Sequence, residues 1–285
     1  MPVVELPTGR PSCSESSLSF GGSSMATILI PIPDHDFDPT ETGVSWRTLG
    51  QRGHRVVFAT PNGKVARADP RMITGEGLGI FAALMKADDN GQSAYKEMSE
   101  CEEFRHPIRY GDIRPEKLDG LILPGGHAKG MRELLEASQL QSIVAGFFAR
   151  NQPAGAICHG VLLAARSRGM DGRSVLYGKR TTALTKLMEL TAWALTCLYL
   201  GDYYRTYPTT VEDEVRAALA APEHFVRGPI SVLRSAAPWP DWPRSLLPRA
   251  ATRRAIWLLA LRFAMEIICL PAGLEMHTGS RTNSL

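Results

Sequence analysis

A chain of 285 residues with 44% hydrophobic and 21% charged content is long enough to bury one or two cores, and its composition excludes general disorder. Its formal charge of +3 arises in the last fifty residues, where six Arg stand against three acids; the balanced remainder offers no basic stripe to a nucleic acid. Five cysteines without a C-x-x-C pair signal neither a zinc cage nor a disulfide framework, and point to a reducing compartment such as the cytoplasm.

Residues 1–25 read as a flexible leader, with Pro2, Glu5, Pro7, Pro11 and a Ser/Gly run but no apolar core of a signal peptide. Thr27–Pro31 is a short apolar run, the pattern of a buried first strand. Asp38 as N-cap, Pro39 at the first helical position and Glu41 at the third predict a helix to about Arg52. A second strand follows at His54–Ala59, completing a βα unit of a parallel sheet. Residues 61–114 lack a strand period and hold two predicted helices, Leu78–Ala87 and Ser93–Glu103, an excursion of the kind that covers a pocket.

Alternation resumes at Leu118–Pro124, a strand that delivers Gly125, Gly126 and His127 into a loop. Helices are expected at Met131–Ala137 and Gln139–Arg150, then a strand entering Ala156-Ile-Cys-His-Gly160 and a helix to about Arg168. Ser174–Leu184 reads as a strand or ribbon, and Thr185–Leu200 and Val211–Ala220 as helices. Residues 26–235 form one domain on this reading, and 236–285 an atypical tail. The tail crowds Pro238, Pro240, Pro243 and Pro248 with three tryptophans and has no Lys. Its apolar segment Ala255–Leu274 is interrupted by Arg262, Glu266 and Pro271, which argues against a membrane span.

Small residues around Cys158 allow a strand to turn sharply into a helix and present the sulfur, as a nucleophile elbow does. The helix start behind it favours a thiolate near neutral pH; the plainer reading is a small buried hydrophobe. His159 is placed to act as a base, as a cation beside the sulfur, or only as a helix cap. Glu41 reaches the same carboxyl edge of the sheet, although capping alone explains a glutamate there. Gly125 and Gly126 suit either an oxyanion hole or a tight turn, and His127 either lines the pocket or is solvated. His35 among Asp34, Asp36 and Asp38 reads as solvated turn residues, so no metal site is expected.

Glu41 after a first strand, Leu-Pro-Gly-Gly-His at 123–127 and Ala-Ile-Cys-His-Gly at 156–160 together resemble the DJ-1/PfpI superfamily, of class I glutamine amidotransferase-like fold. The long excursion and the Cys-His pair resemble its Hsp31-like branch. The resemblance implies an α/β, flavodoxin-like, doubly wound and mostly parallel sheet with helices on both faces. It makes Cys158 the nucleophile, His159 its partner and Glu41 a protonated carboxyl bonded to the sulfur, with Glu189 as a third triad member. Gly125, Gly126 and His127 become the substrate and oxyanion residues.

Members of that branch are described as glutathione-independent glyoxalases, or D-lactate dehydratases, and as stress chaperones. The implied activity is conversion of methylglyoxal-type 2-oxoaldehydes to hydroxy acids, without cofactor, by a protein that can form a homodimer. The alternatives are a redox sensor or chaperone with a vestigial site, and a cysteine peptidase. Amidotransfer is disfavoured because His224 and His277 lack an acid two residues on. The tail departs from the family pattern; no strand is expected after Ser235, and a shifted reading frame or retained intron would explain the change of composition.

Overall fold

The computed structural model describes residues 25–227 and the strand Ile267–Leu270. The leader and most of the tail lie outside the described residues. The chain opens with β1 (Thr27–Pro31), whose last four residues are buried, as expected of a strand covered on both faces. Next come the short strand β2 (His35–Phe37) and helix α1 (Pro39–Gly50), which begins as the sequence predicts: the Asp38 side chain accepts from the amides of Thr40 and Glu41. Strand β3 (Arg55–Thr60) then pairs with β1 in parallel over their whole length.

The excursion holds β4 (Arg67–Ala68), α2 (Pro70–Thr74), α3 (Ala82–Met85), α4 (Asp89–Glu100), α5 (Glu102–Arg105) and β5 (Ile108–Arg109). The expected helix over 78–87 shrinks to a 3-10 turn and one turn of α3. Gly75, Gly77 and Gly79 stand at φ values of 79°, 74° and 56° just before it, a left-handed run that stops a helix from propagating. The rest of the excursion belongs to the core. Helix α4 lies so close to α1 that a Cβ on Gly43 would sit 2.8 Å from the Tyr95 amide, and Phe104 of α5 sets its ring edge-on to Phe58 at 5.3 Å.

Strand β6 (Gly120–Leu123), α6 (Arg132–Leu135), α7 (Ser138–Ala149), β7 (Ala154–Ile157) and α8 (Gly160–Arg166) complete the doubly wound core. Helices α9 (Lys186–Leu200) and α10 (Val211–Ala218) follow. The sheet order is β5-β3-β1-β6-β7-β8, where β8 is Ile267–Leu270. Every described pairing is parallel except that of β7 with β8. The winding reverses between β1 and β6, which puts the loops after β1, β6 and β7 together at the carboxyl edge, where such sheets bind ligands.

Two expectations are corrected at the far edge. The tail does supply a strand, β8, antiparallel to β7 from Ala154↔Leu270 to Ile157↔Ile267. Residues 174–184, expected as a strand, make only isolated bridges, Arg168↔Ser174 and Thr181↔Phe225. With β6 on one side of β7 and β8 on the other, β7 itself has no side left for them to pair with. Their apolar residues Leu176, Ala183 and Leu184 are buried from a loop instead.

The elbow is locked to the sheet by two close approaches. A Cβ on Gly160 would run into the carbonyl oxygen of Leu123, and one on Gly125 would lie 2.8 Å from Cys158 Cβ, His159 N and Ile157 O. Because the Gly160 obstacle is backbone, it cannot swing away. Gly160→Ala is expected to cost about 1–3 kcal/mol, the usual range for overpacking, read as a lower urea midpoint at unchanged slope; an unshifted midpoint would mean that α8 stands farther from β6.

Candidate active site

Cys158 sits at the tip of the β7–α8 turn with φ 71°. A left-handed conformation in a non-glycine residue is strained, and it persists where the surroundings over-determine it, which is the behaviour of a nucleophile elbow. The sulfur faces inward: Cys158 is 4% exposed, His127 4%, His159 1% and Glu41 3%. The elbow therefore presents its thiol to an enclosed group of polar side chains, and the open presentation expected from sequence is corrected.

Cys158 Sγ lies 3.7 Å from His159 Nδ1 and 3.7 Å from His127 Nε2. The two imidazoles meet edge to face with centroids 5.2 Å apart, and Tyr204 sets its ring edge-on against His127 at 6.2 Å. Glu41 arrives from the first turn of α1. Its Oε2 accepts from the Gly125 amide at 2.6 Å, and it stands near enough to the sulfur for Glu41 and Cys158 to shift each other's proton affinity. Four of the residues expected at the site are thus in mutual reach, brought together from three sheet-edge loops.

Burial governs their charges. It pushes Glu41 well above the usual carboxylate range, helped by the charge of Asp38, while the Gly125 amide and Cys158 pull the other way. Asp38 itself rises to about 6, mainly by burial and further by Asp69, against the amides it caps. The Cys158 thiol is pushed well up by burial, then by Glu41 and Asp38. Burial also lowers His127 to about 4 and holds His159 well below its ordinary value, with His127, Arg166 and Arg205 adding to the effect on His159. The resting site at neutral pH therefore holds a thiol, neutral imidazoles and a carboxyl that favours its proton. This corrects two expectations, a resting thiolate and a cationic His159. The short helix α8 behind the sulfur, about two turns long, does not offset full desolvation beside two acids.

Two further placements differ from the sequence reading. The Gly125 amide already donates to Glu41, so it does not serve an oxyanion hole. Gly126, at φ 156° with a Cβ position 2.7 Å from the Asp36 carbonyl, remains a residue only glycine fits. Glu189 is buried, but its Oε1 accepts from Arg205 Nη1 at 3.1 Å and its Oε2 from the Val211 amide at 2.8 Å. Glu212 reciprocates by accepting from the Lys186 amide at 3.0 Å. Each acid thus caps the other's helix, which explains Glu189 without a role at His159. Asp38, read from sequence only as a cap, is the residue whose charge reaches both Glu41 and Cys158; the Asp-x-x-Glu spacing carries that signal. Tyr204 had none, since its place beside His127 depends on the turn after α9.

Among the described residues, the His/Cys/Asp/Glu group with converging ligand atoms is His127, Cys158 and His159, all within 4.8 Å of one another. His35 is a half-open neighbour of Asp36, at 3.8 Å. The excursion closes over the His127 side: Leu78 and Met85 join Ala128, Ala192 and Tyr204 in a small apolar cluster.

A parallel α/β sheet with a strained cysteine elbow and a carboxyl brought to its sulfur defines the class I amidotransferase-like architecture. Residues 32–229 match the family described as ThiJ/PfpI family-like, and the chain belongs to that family. Among curated relatives it is 36% identical over 156 residues to "Glutathione-independent glyoxalase hsp3101" of Schizosaccharomyces pombe, covering 52% of this chain and 58% of that protein. It is 26% identical over 153 residues to "Glutathione-independent glyoxalase hsp3102" of the same organism, covering 53% and 60%. The chain spans about half to three fifths of the length of the curated relatives it matches. Of solved structures, glyoxalase III from Candida albicans superposes with a TM-score of 0.53 at 16% identity over 73% of this chain and 84% of that one. The Francisella tularensis Rapid Encystment Protein does so at 0.52 and 20% identity over 72% and 84%. These two likenesses bear on the fold.

The depressed histidines have a consequence for stability. An unfolded imidazole binds its proton near pH 6.5, before the folded one does, so stability from these residues is present above that pH and is lost as pH falls toward 4. His127→Gln removes one of the two contributions. The drop in urea midpoint between pH 7 and pH 5 should be smaller in that variant than in the parent; an equal drop would mean that His127 titrates normally.

Proposed function

We propose that the chain is a cysteine-dependent, glutathione-independent glyoxalase, a lyase-type enzyme that converts methylglyoxal-type 2-oxoaldehydes to 2-hydroxy acids. The observation that carries this reading is the meeting of a thiol at a strained elbow with a carboxyl that favours its proton and two neutral imidazoles 3.7 Å from the sulfur. The relatives named as glyoxalases support the same reading.

The chemistry follows from those charge states. As Sγ attacks the aldehyde carbon, His159 Nδ1 takes the thiol proton, and Glu41 gives its proton to the developing alkoxide, leaving a hemithioacetal. Neutral His127, the second imidazole 3.7 Å from the sulfur, is the base that removes the proton from the former aldehyde carbon. His159 passes the former thiol proton to the neighbouring carbonyl oxygen, giving an enediol; His127 then returns its proton to the neighbouring carbon while Glu41 recovers the proton of the former aldehyde oxygen, which gives a 2-hydroxy thioester. Water then cleaves the thioester to the hydroxy acid and restores the thiol. The aldehyde carbon is oxidised and the adjacent carbon reduced by the same two electrons, with one water consumed, so no external redox partner enters.

The alternatives have less support. A sensor cysteine needs thiolate character, and burial opposes that here. A peptidase triad needs an acid to orient His159, and both oxygens of Glu189 are engaged in capping and with Arg205.

Purified protein should form lactate from methylglyoxal without glutathione, and Cys158→Ser should abolish it. Glu41→Gln and His159→Gln are each expected to lower kcat by about 10²–10⁴, the usual worth of a positioned acid or base. Lactate formation that survives Cys158→Ser would end the proposal.

A further inference from the structure

We propose that Cys158, His127 and His159 form a site for a thiophilic divalent cation, zinc in the first instance, with three ligands from the protein and a fourth position left open. In a tetrahedral zinc site with Zn–S about 2.3 Å and Zn–N about 2.0–2.1 Å, a sulfur and a nitrogen ligand stand roughly 3.5–3.6 Å apart. Both sulfur–nitrogen separations here are 3.7 Å. Two edges of a coordination face are therefore close to length, and with all three ligand atoms within 4.8 Å of one another, rotation of the imidazoles would bring the nitrogens onto an ion. One thiolate with two imidazoles suits zinc in chemical softness as well.

The surroundings hold that face in place. His127 offers Nε2 and His159 offers Nδ1, and the two rings brace each other edge to face. The His127 loop is pinned by the Thr206 hydroxyl, which donates to the His127 carbonyl at 2.7 Å. Cys158 cannot shift without distorting the elbow that clasps Gly125. Supports of this kind are what fix ligand direction in metal sites. On binding, a Zn–S bond replaces the S–H bond and the thiol proton leaves to buffer. The ion's excess positive charge then favours ionisation of the adjacent Glu41 carboxyl.

A zinc-bound sulfur has no free nucleophile to offer, so occupancy and attack on an aldehyde exclude each other. That regulatory consequence rests on the cysteine-dependent activity proposed above, whereas the binding does not, and the two are read separately.

Cobalt(II), added to the reduced full-length protein in chelator-free buffer, should produce a sulfur-to-cobalt charge-transfer band that saturates at one equivalent and is bleached by zinc. Competition against a chromophoric chelator should give one tight zinc per chain. Cys158→Ser should remove the band, and His127→Gln should weaken zinc by more than about 100-fold, beyond what loss of a supporting contact causes. Cys197→Ser should keep both. Circular dichroism and urea midpoints establish that each variant is folded, and the two independent ligand variants keep the test usable should one fail. Absence of the band in the parent, or its survival in Cys158→Ser, would overturn the site. Stoichiometric zinc should also abolish lactate formation, with recovery on chelation. Zinc binding in a protein that never turns over methylglyoxal would leave the site standing and remove only the glyoxalase reading.

Discussion

The carboxyl of Glu41 ties the site together. It accepts from the Gly125 amide at the end of one strand and exerts its charge on the sulfur at the end of another, while its own helix is started by Asp38, whose amide in turn donates to the Gly125 carbonyl at 2.9 Å. A single acid thus links the loops after β1, β6 and β7. Because it is buried, each of those contacts is made away from competing water, and loss of one leaves the others poorly satisfied.

Burial that fixes the geometry also sets the chemistry. Water's absence raises both acids and the thiol and lowers both histidines, so the site rests with most groups uncharged. Such a site does not hold a ready-made thiolate. Under the function proposed, its groups serve as proton donor, proton acceptor and a nucleophile whose proton moves during the attack. That arrangement suits a reaction made of successive proton shifts on one small carbonyl compound more than attack on an extended peptide.

Much of this was legible in the chain. The apolar run of β1, the Asp-Pro-x-Glu start of α1 and the small residues around Cys158 each have a local cause, and local causes leave sequence signals. What was missed depends on distant partners. Helix content in 78–87 was overestimated because three left-handed glycines outweigh its apolar spacing. Residues 174–184 have strand-like composition, but the free side of β7 is taken by β8. Glu189 looked like a triad acid by spacing, yet its oxygens go to an arginine and to the start of α10. The sequence placed His127 at the pocket but not its ring nitrogen 3.7 Å from the sulfur: 31 residues separate it from Cys158, and the β6–β7 pairing makes them neighbours.

The strand that carries the cysteine is closed on its outer side by β8, which lies over a hundred residues later in the chain. During synthesis, β7 must emerge and wait with one row of backbone donors and acceptors open until that distant partner has been made. An unsatisfied strand of this kind invites pairing with another copy. Of the described ladders this one therefore closes the longest stretch of chain, and its closure is what covers the outer row of β7.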